Sequence, residues 1–115
     1  LYLTLREMVK LGQLYLQDGW VSDYTQIVSS EWLSQATTYH SDFGEGYGYG
    51  YLWWLGPNYY RAVGWGSQYI FVFPGLELVL GIHSTVPFNG FDPQYDSALE
   101  NIIFDQILPL FENND

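Results

Sequence analysis

The spacing of apolar positions predicts a helix at each end of the chain, with strands between them. Near the amino end, Thr4 and Glu7 have capping-box spacing, and apolar residues follow at helical intervals. Gly19 is placed to give this helix a left-handed stop. Ser29–Ser30 predicts the start of a second, short helix.

From Tyr47 onward the pattern changes to that of strands. One alternating set from Tyr47 to Leu55 is aromatic and apolar, which predicts one strand with an aromatic face; its members are Tyr47, Tyr49, Tyr51, Trp53 and Leu55, between Gly48, Gly50, Leu52 and Trp54. Tyr59–Val63 is a short extended stretch, and the apolar run Gln68–Phe73 predicts a central strand that is covered on both faces. Phe73–Leu76 has Pro and Gly at the central positions of a type II turn. Leu76–Ser84 then contains the return strand.

The last segment predicts an amphipathic helix. Asp92 can cap it and Pro93 occupies the first helical position, where a missing N–H costs little. Pro109 is expected to end or kink this helix near its last turn. The fold class is therefore α+β, with about three antiparallel strands and flanking helices, and residues 1–115 form a single segment.

Composition limits the classes of partner. The 115 residues include 13 Asp and Glu but only three Lys and Arg, which gives a formal net charge of -10. Nucleic acids and anionic membrane surfaces are therefore not expected as partners, because both select for clustered positive charge. No apolar run reaches the length of a membrane span, and no targeting signal is visible. The 48% hydrophobic content is enough to form a core.

The candidate chemistry within the chain is sparse. No Ser stands three residues before a Lys, since the only Lys is Lys10 and Glu7 occupies that position. His40 and His83 lack metal-ligand spacing, and there is no Cys, so no metal site or cofactor is predicted. The carboxylates are spread out, which indicates a solvated acidic surface. The chain alone is therefore not expected to complete a catalytic site.

The aromatic residues allow two interpretations. Tyr47, Trp53 and Trp54 either line a pocket or a stacking platform for sugar rings and other planar ligands, or belong in part to the core. Gly64-Trp65-Gly66 places glycines on both sides of a bulky ring, which lets backbone approach a ligand closely. The N–H groups after Gly66 are then available to an anionic oxygen.

Five segments in this order resemble the C-terminal part of the serine beta-lactamase-related hydrolases. They read TLREMVKLGQLYLQDG, SSEWLSQAT, YGYGYLWW, GWGSQYIFVFPGLELVLGIHST and ILPLF. This family includes class C beta-lactamases, penicillin-binding-protein-like peptidases, family VIII-type esterases and 6-aminohexanoate-dimer hydrolases. The chain also begins at Leu1 inside a structured pattern, which favours a fragment of a longer protein.

The resemblance implies a beta-lactamase-like fold and an acyl-enzyme mechanism on an ester, amide or beta-lactam-like substrate, either a small molecule or a peptide-like compound. Its Ser-x-x-Lys and Tyr-x-Asn motifs are missing here and are expected upstream of Leu1. The third motif is similar to Trp65-Gly66-Ser67, and the backbone N–H of Gln68 would be an oxyanion donor. Trp65 stands where beta-lactamases carry a cation, which favours esterase- or amidase-like activity.

The resemblance also bears on assembly. The family pairs the strand before the C-terminal helix with a strand from the N-terminal part. Leu76–Ser84 is therefore expected to be an unpaired edge that forms a homo-oligomer or exchanges strands. Its apolar side chains are also expected to lose the helix that would cover them. An exported or periplasmic location would be compatible with the family, although the chain carries no signal for it. The alternatives are an aromatic-rich module that binds glycans or peptides, and a structural or oligomerising domain.

Overall fold

The structure, a computed structural model, describes residues 2–84 and 93–112. Helices lie near both ends of the described chain, and strands fill most of the middle. In chain order the elements are α1 (Leu5–Leu16), β1 (Trp20–Ser22), β2 (Thr25–Gln26), α2 (Ser30–Ala36), β3 (Ser41–Gly44), β4 (Tyr47–Tyr49), β5 (Trp54–Gly56), β6 (Tyr59–Gly64), β7 (Gln68–Phe73), a 3-10 turn (Pro74–Leu76), β8 (Leu78–Ile82), α3 (Pro93–Asn101), a π-helical segment (Ile102–Ile107) and α4 (Pro109–Glu112).

The main sheet is an antiparallel meander. Its strands lie in the order β3-β4-β5-β6-β7-β8, so each strand pairs with its neighbours in sequence, and β1 and β2 form a separate hairpin. The predicted α+β class is confirmed. The expected number of strands was too low, because the described sheet has six strands instead of about three.

The Tyr47–Leu55 segment accounts for part of this difference. The prediction of one strand was wrong, because the chain reverses after Tyr49 and β5 pairs back onto β4, with Tyr49 opposite Trp54. Leu52 lies in this turn with a φ of +66°. Tyrosine alternates with glycine only as far as Gly50, and the left-handed position of the turn is a leucine, a residue type that does not mark turns.

Helix termini follow the predicted signals. The Thr4 side chain accepts a hydrogen bond from the Glu7 N–H, and the Glu7 carboxylate accepts one from the Thr4 N–H, which completes the capping box. Gly19 has a φ of +85° and its N–H donates to the Leu14 carbonyl at 2.9 Å. The Ser29 side chain caps α2. Asp92, the predicted cap of the last helix, lies outside the described residues.

The turn before β8 differs from its prediction. Pro74–Leu76 forms a 3-10 turn instead of a type II turn. The left-handed residue is Glu77, with a φ of +51°. A type II turn would have required the positive φ at Gly75, so Pro and Gly here mark a change of direction without specifying its geometry.

The sheet carries a hydrophobic cluster on each face. On one face, Ile70 and Val72 pack with Met8 of α1. On the other, Phe71 packs with Ile103 of the C-terminal helical region. Helix α1 lies close to the sheet at Gly12. A Cβ added there would lie only 2.6 Å from the Val79 Cγ1, so a larger residue would not fit at this distance.

The C-terminal helical region is not one regular helix. The N–H of Leu108 donates to the Ile103 carbonyl at 2.9 Å, which is the five-residue step of a π-helix, and α4 begins at Pro109. In a regular α-helix Pro109 could not donate to the Asp105 carbonyl and its ring would clash there. The expected interruption near Pro109 is confirmed, and it takes the form of a π-helical segment.

Strand β8 is the last strand of the sheet at one edge. It pairs with β7, and no described strand lies on its other side. We expected its apolar side chains to lose their helical cover, and this was wrong. Leu78, Leu80 and Ile82 pack in the cluster with Ile103, while Gly81 faces α1. Among the described residues, no helix is long and apolar enough to cross a membrane.

Candidate functional site

The predicted third motif lies in a tight turn at one end of the sheet. Gly64 is paired with Gln68, so Trp65, Gly66 and Ser67 form the connection between β6 and β7. Gly66 and Ser67 both have left-handed backbones, with φ of +81° and +60°. Trp65 is 80% exposed, whereas Ser67 is 2% exposed. The turn therefore projects a large ring into solvent and directs the serine inward.

The side chain of Gln68 holds this turn against the end of β8. Its Nε2 donates to the Gly66 carbonyl at 3.1 Å and to the Ser84 carbonyl at 2.6 Å. Its Oε1 accepts a hydrogen bond from the Ser84 N–H at 3.3 Å. The prediction for Gln68 concerned only its backbone N–H, and this use of the side chain was not predicted.

The Ser67 side chain is part of a buried polar cluster. Its hydroxyl donates to the Asp96 Oδ1 at 2.7 Å, and the Tyr69 hydroxyl donates to the same oxygen at 2.5 Å. Asp96 is 7% exposed, and its Oδ2 has no hydrogen-bond partner. Burial raises the pKa of the Tyr69 phenol, and its hydrogen bond to Asp96 raises this pKa further, so Tyr69 is a neutral donor at physiological pH.

This arrangement does not give Ser67 the properties of a nucleophile. Its hydroxyl is enclosed and already donates to a carboxylate. A serine nucleophile needs an open approach for the substrate as well as a proton acceptor, and the 2% exposure of Ser67 leaves no such approach. The cluster is better suited to hold the turn than to react.

A cleft opens beside the cluster. It measures about 370 Å³ and lies between the sheet and the start of α3. Arg61 donates to Glu100 at 2.8 Å, and its guanidinium lies 5.6 Å from the Tyr69 ring centre. The charge of Arg61 is therefore already balanced by a carboxylate, and its guanidinium lies over an aromatic face. The cleft is lined by Trp54, Arg61, Val63, Tyr69, Pro93, Asp96, Ser97 and Glu100.

A second cleft adjoins Trp65. It measures about 610 Å³ and separates the turn from the amino-terminal segment. Trp65, Gln68 and His83 border it on one side, and Leu3 and Met8 border it on the other. Its lining is mainly apolar, which suits an uncharged ligand group better than a carboxylate.

Of the predicted pocket aromatics, Trp54 borders the cleft beside the Asp96 cluster, and none lines the cleft beside Trp65. Tyr47 and Trp54 are 46% and 44% exposed and share a small pocket of about 80 Å³ with Phe43. Trp53 is only 4% exposed and packs against Tyr15 with their ring centres 4.7 Å apart. Trp53 is therefore a core residue and does not line the predicted pocket. The reversal after Tyr49 places it on the α1 face of the sheet.

The two histidines do not form a metal centre. The His40 ring stacks on Tyr51 with their ring centres 4.2 Å apart, and His83 lies at the end of β8. Within residues 2–84 and 93–112, no group of three or more His, Asp or Glu side chains is arranged to hold a metal ion.

Sequence reasoning missed Asp96. It is one of many acids in the second half of the chain, and it lies 29 residues from Ser67. A local motif search does not detect a contact of this sequence separation. Comparison with known proteins gave no further guidance, since neither a protein-family model nor a curated protein matches the chain.

The exposure of Trp65 predicts the stability of its variants. Trp65→Ala should change the free energy of unfolding by less than about 0.5 kcal/mol, because the ring is largely in solvent. Trp53→Ala is the matched control and should cost about 3–5 kcal/mol, because the same substitution empties a core position. Denaturant unfolding of the two variants measures this difference. Equal losses would show that Trp65 is packed in the folded protein.

Proposed function

We propose that this chain is the C-terminal segment of a beta-lactamase-related serine hydrolase that acts through an acyl-enzyme. The observation that carries the proposal is the Trp65–Ser67 turn. It leads directly into the buried strand β7 and exposes the Trp65 ring beside an apolar cleft. Hydrogen bonds to Asp96 and to the Gln68 side chain hold it in place. In the family that the sequence resembles, the third motif lies on a sheet strand, whereas Trp65–Ser67 forms the turn that precedes one.

In this proposal the turn contributes binding and electrostatic stabilisation. The Trp65 ring forms one wall of the acyl pocket. The backbone N–H of Gln68 donates to the carbonyl oxygen as negative charge develops in the transition state. An oxyanion donor on a rigid strand requires no reorganisation, and losing one such donor lowers rates by about 10²–10³-fold.

The nucleophile and its base would come from a segment upstream of Leu1. A Ser-x-x-Lys motif and a Tyr-x-Asn motif are expected there. Neither Ser67, which is buried, nor Lys10 on α1 replaces them. The uncharged Trp65 and the mainly apolar cleft favour a small ester or amide, or a peptide-like substrate, over an anionic beta-lactam.

The proposal predicts that the 115-residue chain is inactive alone. It should not turn over a chromogenic short-chain ester or a cephalosporin, and a fluorophosphonate probe should not label it. A longer polypeptide from the same coding sequence should be labelled at the serine of its Ser-x-x-Lys motif. Labelling of Ser67, or an upstream sequence without such a motif, would contradict the proposal.

A second prediction concerns Trp65 in the longer polypeptide. Trp65→Ala should lower kcat/KM for the ester by about tenfold, which corresponds to losing about 1.4 kcal/mol of transition-state stabilisation. The melting temperature should stay unchanged. Trp20→Ala is the matched control, because Trp20 is also exposed, at 41%, and lies in the separate β1–β2 hairpin. Equal effects on activity from both variants would count against a pocket role for Trp65.

We also propose that the β8 edge recruits a partner strand. Its apolar side chains are covered, but no described strand lies beside its outer edge, and Glu77 is the only Asp, Glu, Lys or Arg within Leu76–Ser84. Unpaired edges of this kind form pairs with other chains. In the isolated chain the partner would be a second copy, joined by antiparallel pairing of the Leu76–Ser84 edges or by strand exchange.

This edge predicts concentration-dependent assembly. Light scattering of the isolated chain should show a dimer or larger species at high concentration. Hydrogen exchange should show slower exchange in β8 under the same conditions, because its outward N–H groups then have partners. A monodisperse monomer at every concentration, with fast exchange along the outer side of β8, would refute the expectation.

A second candidate function is glycan binding by the exposed aromatics. Phe43, Tyr47 and Trp54 expose 60%, 46% and 44% of their surface, and the Phe43 and Trp54 ring centres are 6.2 Å apart. Neighbouring exposed rings of this kind can stack on the apolar face of a sugar. This observation favours a carbohydrate over a peptide.

The glycan alternative has its own test. Calorimetric titration with a panel of soluble oligosaccharides should give saturable heat that Trp54→Ala abolishes and Trp20→Ala retains. The control is suitable because Trp54 and Trp20 are exposed to a similar extent, 44% and 41%. Heat that both variants retain would argue against this surface, and absence of heat with the unmodified chain would argue against the function.

A further inference from the structure

The carboxylate of Asp96 connects the C-terminal helical region to the Trp65–Ser67 turn. Asp96 lies in the first turn of α3, and its Oδ1 accepts from Ser67 at 2.7 Å and from Tyr69 at 2.5 Å. All three residues are buried, with exposures of 7%, 2% and 4%. Hydrogen bonds to a charged acceptor are stronger than those between neutral groups, and a buried acceptor is costly to leave unpaired. This link is therefore a fixed part of the folded chain.

Ser67 needs such a link because its backbone is strained. Its φ of +60° is a conformation that glycine or asparagine adopts more readily than serine. It follows Gly66, which also has a positive φ, so two successive residues in the turn are left-handed. Strained backbone persists where surrounding contacts determine it. The hydrogen bond from Ser67 to Asp96 is the contact that draws this residue inward.

The Trp65 ring has no comparable support of its own. It is 80% exposed, and no aromatic ring among the described residues contacts it. The backbone of the turn consequently sets where this side chain leaves the sheet, and with it the space that the ring can occupy. Gln68 holds the turn through the Gly66 carbonyl, and Asp96 holds it through Ser67. Of these two anchors, only Asp96 belongs to a different layer of the fold.

We infer that Asp96 is a positioning residue, which sets the orientation of Trp65 through the Ser67 hydroxyl. The orientation of the turn can be measured in the isolated chain, while its importance for substrate rests on the proposed hydrolase function. A purely structural role for Asp96 would give a different experimental result. In that case Asp96 would dock α3 onto the sheet, and removing it would loosen the helix without a specific effect on Trp65.

The test is fluorine NMR on the full 115-residue chain with 5-fluorotryptophan at its five tryptophans. Trp65→Phe identifies the Trp65 resonance. Ser67→Ala should shift or broaden that resonance by more than its linewidth and leave the Trp53 resonance in place. Ser67→Gly should largely restore it, because glycine adopts the left-handed conformation without support.

Two further variants separate positioning from general stability. Tyr69→Phe keeps the ring and removes the other hydrogen bond to Oδ1, so the melting temperature should fall with little change at Trp65. Asp96→Ala should perturb Trp65 as Ser67→Ala does. Asp96→Asn, which retains an acceptor oxygen, should perturb it less. If Asp96→Ala fails to fold, Ser67→Ala and Tyr69→Phe still decide the question.

The results separate failure of this inference from failure of the proposed function. A Trp65 resonance that is unchanged in Ser67→Ala, or equally changed in Tyr69→Phe, overturns the positioning role of Asp96. This holds whether or not the longer polypeptide is a hydrolase. If the resonance responds as expected, ester hydrolysis by the longer polypeptide is then measured. Ser67→Ala and Trp65→Ala should lower kcat/KM to a similar extent. Unaltered kcat/KM with a perturbed turn leaves Asp96 a positioning residue and contradicts the proposed role of the turn in catalysis.

Discussion

Burial of strand β7 on both faces is the constraint on which the rest of the fold depends. Phe71 and Val72 have no exposed surface, and they point to opposite sides of the sheet. Each side chain of this size contributes about 1.5–3 kcal/mol when it is removed from water. Helix α1 and the C-terminal helical region must both be present for β7 to be buried, so the two ends of the chain are held to the same strand.

This constraint fixes the ends of β7 as well as its middle. Gln68, its first residue, is paired with Gly64, and the turn before it has little freedom along the sheet. What remains adjustable is the inclination of the turn and the direction of Trp65. Apolar packing does not fix these two properties, because the Trp65 ring lies mostly in solvent. They depend on the polar contacts of the turn. The apolar packing thus places the candidate site, and the hydrogen bonds of Ser67 and Gln68 determine its details.

Features that depend on local interactions were predictable from the sequence. The Thr4 capping box and the Ser29 cap form as expected, since each involves residues three apart. The reversal between β4 and β5 was not predictable, because its left-handed residue is Leu52, and leucine is not a residue type that marks turns. The burial of Trp53 follows from that reversal. The contact between Asp96 and Ser67 joins distant residues through single side chains, for which no periodic signal exists.

The polar contacts of the C-terminal helical region lie near its start, whereas its apolar contacts continue from Leu99 to Leu108. Asp96 and Glu100 bind the sheet near the start of the region, while Ile103 and Leu108 pack against it further on. A hydrogen bond to a charged group contributes about 1.5–3 kcal/mol, which is comparable with one buried aliphatic side chain, and several such side chains dock this region. Loss of one polar contact would therefore leave the region docked by its apolar part. Because the apolar contacts continue beyond the polar ones, the geometry of the turn can change without loss of the fold.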